Sequence, residues 1–181
     1  MKKLLVVAAF SACLALPAQE TRREVSHAPN PVVDSKPNNP DVPDVFAVSG
    51  HLERIVVLRF KFGADMLAGL QKMVAQEHIK NAVILSAFGS VRGYQVHQVS
   101  NRDLPSKDLF VKNPTAPADI IGMSGMVMNG HIHPHITLAN GDKSFGGHLE
   151  PETQVFTFAV VTLGVLDDQI DMNRFDDSSY R

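Results

Sequence analysis

Apolar and polar positions change rhythm several times along this chain, and each change marks an element. In RIVVLRF (54–60) β-branched residues dominate between basic flanks, which predicts a strand. Next, Met66, Leu67, Leu70, Met73 and Val74 recur at three- and four-residue intervals. That spacing puts them on one face of a helix, with Asp65 as N-cap and Gly63 and Asn81 punctuating its ends. His78 falls near its last turn, where a solvated, dipole-compatible role is expected. AVILSAFGSVRGYQVHQV (82–99) predicts two strands broken around Gly89-Ser90, with His97 on a polar alternating face and no special role. NRDLPSKDLFVKNPTAPA (101–118) reads as a loop long enough to cover a site or an interface. DIIGMSGMVM is a strand, a histidine-rich hairpin follows, and TQVFTFAVVTLGVL is apolar on both alternating faces, as a covered central strand should be. The acidic tail DDQIDMNRFDDSSYR is expected to pair as an edge strand before fraying.

One main helix among strands joined mostly by hairpins makes the fold class α+β: a single domain with a central, mostly antiparallel sheet of about seven strands. The boundaries expected are 1–18 for a signal peptide, 19–44 for a Pro-rich disordered linker, 45–177 for the folded domain and 178–181 for a C-terminal tail. MKKLLVVAAFSACLALPA has the basic start, short apolar run and small residues of a secretory signal. FSAC also resembles a lipoprotein box, so membrane association is expected only if Cys13 is lipidated. Either way the expected location is extracytoplasmic, periplasmic or secreted.

Composition narrows the chemistry. With 44% apolar and 20% charged residues the 181-residue chain can bury an ordinary core. Its single cysteine rules out an internal disulfide, leaving packing, metal or oligomerisation to hold it. The formal charge of −2 becomes more negative without Lys2 and Lys3. That argues against binding a phosphate backbone, which needs clustered Lys and Arg. GxSxG, HExxH and a glycine-rich phosphate loop after a strand are all missing from the sequence.

The chemistry concentrates in NGHIHPHITLANGDKSFGGHL (129–149). Residues two apart in a strand share a face, so His131, His133 and His135 form a row. A two-residue turn at Asn140-Gly141 would set His148 opposite His133, Gly146 opposite His135 and Glu150 opposite His131. A four-residue loop, Asn140 to Lys143, would set His148 opposite His135. Both registers keep the four imidazoles on one face, whereas a three-residue loop would not. Cβ atoms directly opposite are about 4.5–5.5 Å apart, close enough for His133, His135 and His148 to reach one ion at about 2.0–2.1 Å. Three protein ligands leave a fourth position for water or substrate, the arrangement of catalytic zinc. Gly146 and Gly147 are expected to leave room for a ligand. His131 is the less secure fourth ligand, and Glu150 is the candidate general acid/base. Pro134 suggests an edge or bulged position.

HPHITLANGD, GGHL and VFTFAVVTLGVL resemble the signature of the plants-and-prokaryotes conserved (PPC) domain family. The resemblance extends to LRFKFGADMLAGLQKMVAQEHIKNAVILSAFGSVRG, DIIGMSGMVM and NRFDD, covering about residues 48–177. It implies an α+β subunit assembled as a homotrimer, with a metal site at His133, His135 and His148 in prokaryotic members. His131 lies outside the family doublet. Plant members are associated with DNA through appended RGRP-like segments, which this chain lacks. The fold also looks similar to acetolactate decarboxylase, whose zinc is held by three histidines, an analogy of fold and site only. The expectation is an exported domain binding a divalent metal, zinc first among them. It would bind, and by lyase- or hydrolase-type chemistry transform, a small polar metabolite. The alternatives are a DNA-binding regulatory module and a metal-binding scaffold without catalysis.

Overall fold

The structure, a computed structural model, describes residues 21–181; the signal segment 1–18 and Cys13 lie outside the described residues. The elements in chain order are β1 (Arg22–His27), α1 (Pro31–Asp34), β2 (Leu52–Lys61), α2 (Met66–Gln76), β3 (Ala82–Val99), β4 (Lys107–Asn113), β5 (Ala118–Met128), β6 (His131–Ala139), β7 (Ser144–Leu149) and β8 (Gln154–Leu166). This is the α+β, antiparallel, single-domain class expected, with eight strands in one sheet.

The eighteen-residue β3 organises the rest. Over its first half it pairs β5 and β8, and over its second half β4 and β7. Because β7 returns to β3, strands β3, β5, β6 and β7 close into a ring, with β8 and β2 continuing beyond it. The break expected at Gly89-Ser90 is instead a set of register shifts near residues 84–93, which bend one strand without ending it.

The predicted helix stands as α2. Asp65 accepts from the Ala68 amide at 2.9 Å, so the cap forms as the residue type suggests. Met66 and Leu70 are fully buried against the inner face of the sheet, each contributing about 1.5–3 kcal/mol by burial.

Three expectations fail, the first two for one physical reason. Residues 22–27, read as part of a disordered linker, form β1 along β4, and Asn30 caps the short α1. The loop 101–118 contains β4. All six β1 residues are exposed and none in β4 before Asn113 is buried, so backbone hydrogen bonds hold both without an apolar pattern. The tail makes turns instead of an edge strand. Ile170 and Met172 bury themselves against Met128, and Asn81, fully buried, donates to the Ile170 carbonyl at 3.0 Å.

Candidate metal centre

Two Asn-Gly pairs bracket β6 and behave differently. Asn129 and Gly130 take φ of 51° and 81°, the left-handed pair that a two-residue hairpin requires, and Met128 pairs with His131 across it. Asn140 and Gly141 are not in that conformation. Instead the Asn140 side chain accepts from the Asp142 and Lys143 amides, both at 3.0 Å, and Ala139 pairs with Ser144. The loop is therefore the four-residue one, and His148 lies opposite His135, not His133.

That register, continued to β3, sets His97 opposite His148. His97, His148, His135 and Ser124 thus form one row across β3, β7, β6 and β5. Pro134 lies just beyond the residues of β6 that pair with β7, an edge position as its missing amide proton suggests. Gly146 and Gly147 do not open space for a ligand. A Cβ on Gly146 would meet the Ile136 carbonyl and one on Gly147 the His97 carbonyl, so both glycines let β7 approach its neighbours closely.

The rings of His133, His135 and His148 lie near one another on one face, as parity requires. His133 and His135 stack with centroids 5.2 Å apart and their Nε2 atoms 3.2 Å apart. His148 stands edge-on to both, at 4.8 and 5.6 Å. Two nitrogens bound to one tetrahedral zinc at 2.0–2.1 Å would lie about 3.3 Å apart, so the His133–His135 spacing fits a shared ion.

Carboxylates occupy Nδ1 of His133, His148 and His97. Asp176 Oδ1 is 2.7 Å from His133 Nδ1, and Glu150 Oε1 is 3.2 Å from His148 Nδ1 and 2.6 Å from His97 Nδ1. Acceptors on Nδ1 select the Nδ1–H tautomer and leave Nε2 with its lone pair, the usual support for a metal-ligating histidine. Partial burial, then the neighbouring His133 and His97, push the His135 pKa below its usual value. Burial, then His97 and His133, do the same to His148 against the opposing influence of Glu150. Both rings are therefore kept neutral, the form that ligates.

His131 is exposed and lies farther along the row, opposite Met128, outside these contacts. Glu150 is drawn into hydrogen bonds to two rings through one oxygen, which makes it a partner of the imidazoles first. His97, read as having no special role, stacks on His148 at 4.6 Å and belongs to the cluster. Among the described residues, His97, His148 and Glu150 are the three-residue combination whose ligand atoms all lie within 4.8 Å of one another, whereas His133, His135 and His148 do not all approach that closely. Asp176 escaped notice because the tail carrying it docks through Ile170, Met172 and an Asn129–Asn173 side-chain hydrogen bond at 2.8 Å.

A mostly antiparallel α+β sheet carrying a His/Glu cluster defines the class of protein. Residues 47–167 match the Plants and Prokaryotes Conserved (PCC) domain model, and the chain belongs to that family. A plant- and prokaryote-conserved protein of Pyrococcus horikoshii is similar, with a TM-score of 0.56 at 18% identity over 70% of this chain and 89% of that one. A metal-containing protein of Archaeoglobus fulgidus aligns with a TM-score of 0.58 at 22% identity, covering 75% of this chain and 95% of that one. A Bacteroides thetaiotaomicron protein provisionally described as DNA-binding aligns at 0.51 and 16% identity over 67% and 83% of the two chains. Among curated proteins, the bifunctional protein GlmU of Synechococcus sp. (strain JA-3-3Ab) is 25% identical over 111 residues. That match takes in 61% of this chain but only 17% of GlmU.

Proposed function

We propose that this is an exported metal-binding domain in which His133, His135 and His148 hold one divalent ion through Nε2, zinc first among the candidates. The observation that carries the reading is the 3.2 Å Nε2–Nε2 approach of His133 and His135, with carboxylates on Nδ1 of His133 and His148. The similarity to a metal-containing archaeal protein is consistent with it. A bound divalent ion with an open position supplies Lewis acidity toward a carbonyl or hydroxyl of a small polar metabolite. The chain's own part is to present three imidazoles. Asp176 and Glu150 orient two of them, and Glu150 takes this positioning role in place of acid/base work.

Self-association as a homotrimer fits the outer face of β2, β8 and β3. Ile55, Val57, Leu85, Phe88 and Phe158 are all exposed there, Val57 at 63% and Phe88 at 53%. An exposed set of apolar side chains of that kind marks an interaction surface. The start MKKLLVVAAFSACLALPA supports export. DNA binding is the weaker reading, since it rests on a provisional description of a distant fold relative while this chain carries a net negative charge.

The test is metal content and zinc titration of untagged protein. His135→Ala should abolish stoichiometric uptake and His97→Gln should preserve it. The reverse outcome would move the ion to His97, His148 and Glu150, and no uptake by the unaltered protein would sink the metal reading.

A further inference from the structure

A groove of about 460 Å³ opens beside the imidazole row, lined by Arg22, Glu24 and Ser26 of β1, Phe110 and Lys112 of β4, and Gln95 and Glu152. Its position follows from register. Glu24 pairs with Phe110 and Phe110 with His97, while Arg22 pairs with Lys112 and Lys112 with Gln95. Directly paired residues share a face, so groove and cluster lie on the same side of the sheet. The Phe110 ring forms their common wall, 5.1 Å from the ring of His97, which in turn holds Glu150. Three lining residues come from β1, outside the matched family region 47–167.

The charges in the groove are paired unevenly. Lys112 Nζ is 2.6 Å from Glu152 and the two neutralise each other. Among the described residues the ion pairs of the groove end there, and Arg22 and Glu24, two positions apart on one face of β1, present opposite charges to it. A simple anion would gain the guanidinium and meet the carboxylate beside it; a simple cation would meet the reverse. A ligand carrying both charges on neighbouring atoms satisfies both groups. An apolar substituent on such a ligand would lie against Phe110.

We propose that this groove binds an amino-carboxylate of the α-amino-acid type, its carboxylate on Arg22, its ammonium on Glu24 and its side chain on Phe110. The proposal goes beyond the metal reading and stands without it, because none of these groups needs an ion.

The experiment uses full-length protein stripped of metal with a chelator, so that chelation by the ligand cannot mimic binding. Calorimetric titration with L-phenylalanine should give saturable binding. Phenethylamine and 3-phenylpropionate, each lacking one charge, should bind about tenfold more weakly or worse, because each leaves a charge-assisted bond unmade. Arg22→Gln should lower L-phenylalanine to the level of the amine, and Glu24→Gln to the level of the acid. Both residues are exposed on an edge strand, so neither change threatens folding. Absent binding of L-phenylalanine, equal binding of 3-phenylpropionate, or affinity unmoved by both substitutions would overturn the assignment. His135→Ala separates the two readings, since it should remove metal uptake while leaving L-phenylalanine binding intact.

Discussion

Glu150 offers a graded test of the proposed centre. Its Oε1 accepts from His97 Nδ1 at 2.6 Å and lies 3.2 Å from His148 Nδ1, with the side chain only 17% exposed. Removing the hydrogen-bond partner of a ligating histidine costs about 10–100-fold in metal affinity, or about 1.4–2.8 kcal/mol. Glu150→Gln keeps an acceptor oxygen but loses the charge, and charge-assisted hydrogen bonds are about twice as strong as neutral ones. Only the longer of the two contacts reaches a proposed ligand. The Gln variant should therefore lose about tenfold, and Glu150→Ala should approach about 100-fold. Competition between apo-protein and a chromophoric zinc chelator at neutral pH measures this, with circular dichroism confirming the fold. Unchanged affinity in both variants would refute the positioning role. Complete loss of stoichiometric uptake in the Gln variant would make Glu150 a ligand itself.

Other expectations follow from the same contacts. His135 and His148 have lowered pKa values in the folded chain, so below about pH 6.5 the unfolded chain takes up protons first. Stability of the apo-protein should be independent of these groups above that pH and fall as the pH drops through it, which denaturant melts at several pH values will show; a rise on acidification contradicts the assignment. Gly125→Ala places a Cβ against the His133 carbonyl at a φ of 134°. It should destabilise by about 1–3 kcal/mol and weaken zinc uptake, both readable in thermal melts with and without the ion. Asn81→Ala removes a fully buried amide bonded to Ile170 and Asn129. It should cost about 1–3 kcal/mol in a urea titration and loosen the tail that carries Asp176. Phe88→Glu on the exposed apolar face should convert the proposed trimer to monomer by light scattering, and an unaltered mass would place the interface elsewhere.

What the sequence could reveal divides along a physical line. Elements that bury side chains were legible, because burial imposes a period: α2 announces itself through Met66, Leu67, Leu70 and Val74, and β8 through its apolar run. Elements held by backbone pairing alone, β1 and most of β4, leave no such period, and both were missed. The row His131, His133 and His135 was legible because alternation along one strand is local. His97 was not, because its membership depends on two registers at once, β3 with β7 and β7 with β6.

The turn that decides those registers shows where composition misleads. Asn129-Gly130 and Asn140-Gly141 are the same dipeptide, yet only the first takes the left-handed geometry of a two-residue hairpin. At the second, the Asn140 side chain satisfies the Asp142 and Lys143 amides, and the two extra loop residues slide β7 by two positions along β6. A slip of two keeps every side chain on its face. The histidine cluster therefore survives either register, while its membership changes. Under the shorter loop His148 would stand opposite His133; under the observed one it stands opposite His135, and the carboxylate of Glu150 lies between its ring and that of His97. Lengthening the loop by one residue between Gly141 and Asp142 would not have this tolerance. It would either bulge outward, leaving zinc uptake intact, or shift β7 by one and turn His148 inward, abolishing uptake. The first result would mean that the β3–β7 pairing of Val96 with Leu149, both buried, holds the register more firmly than the turn does.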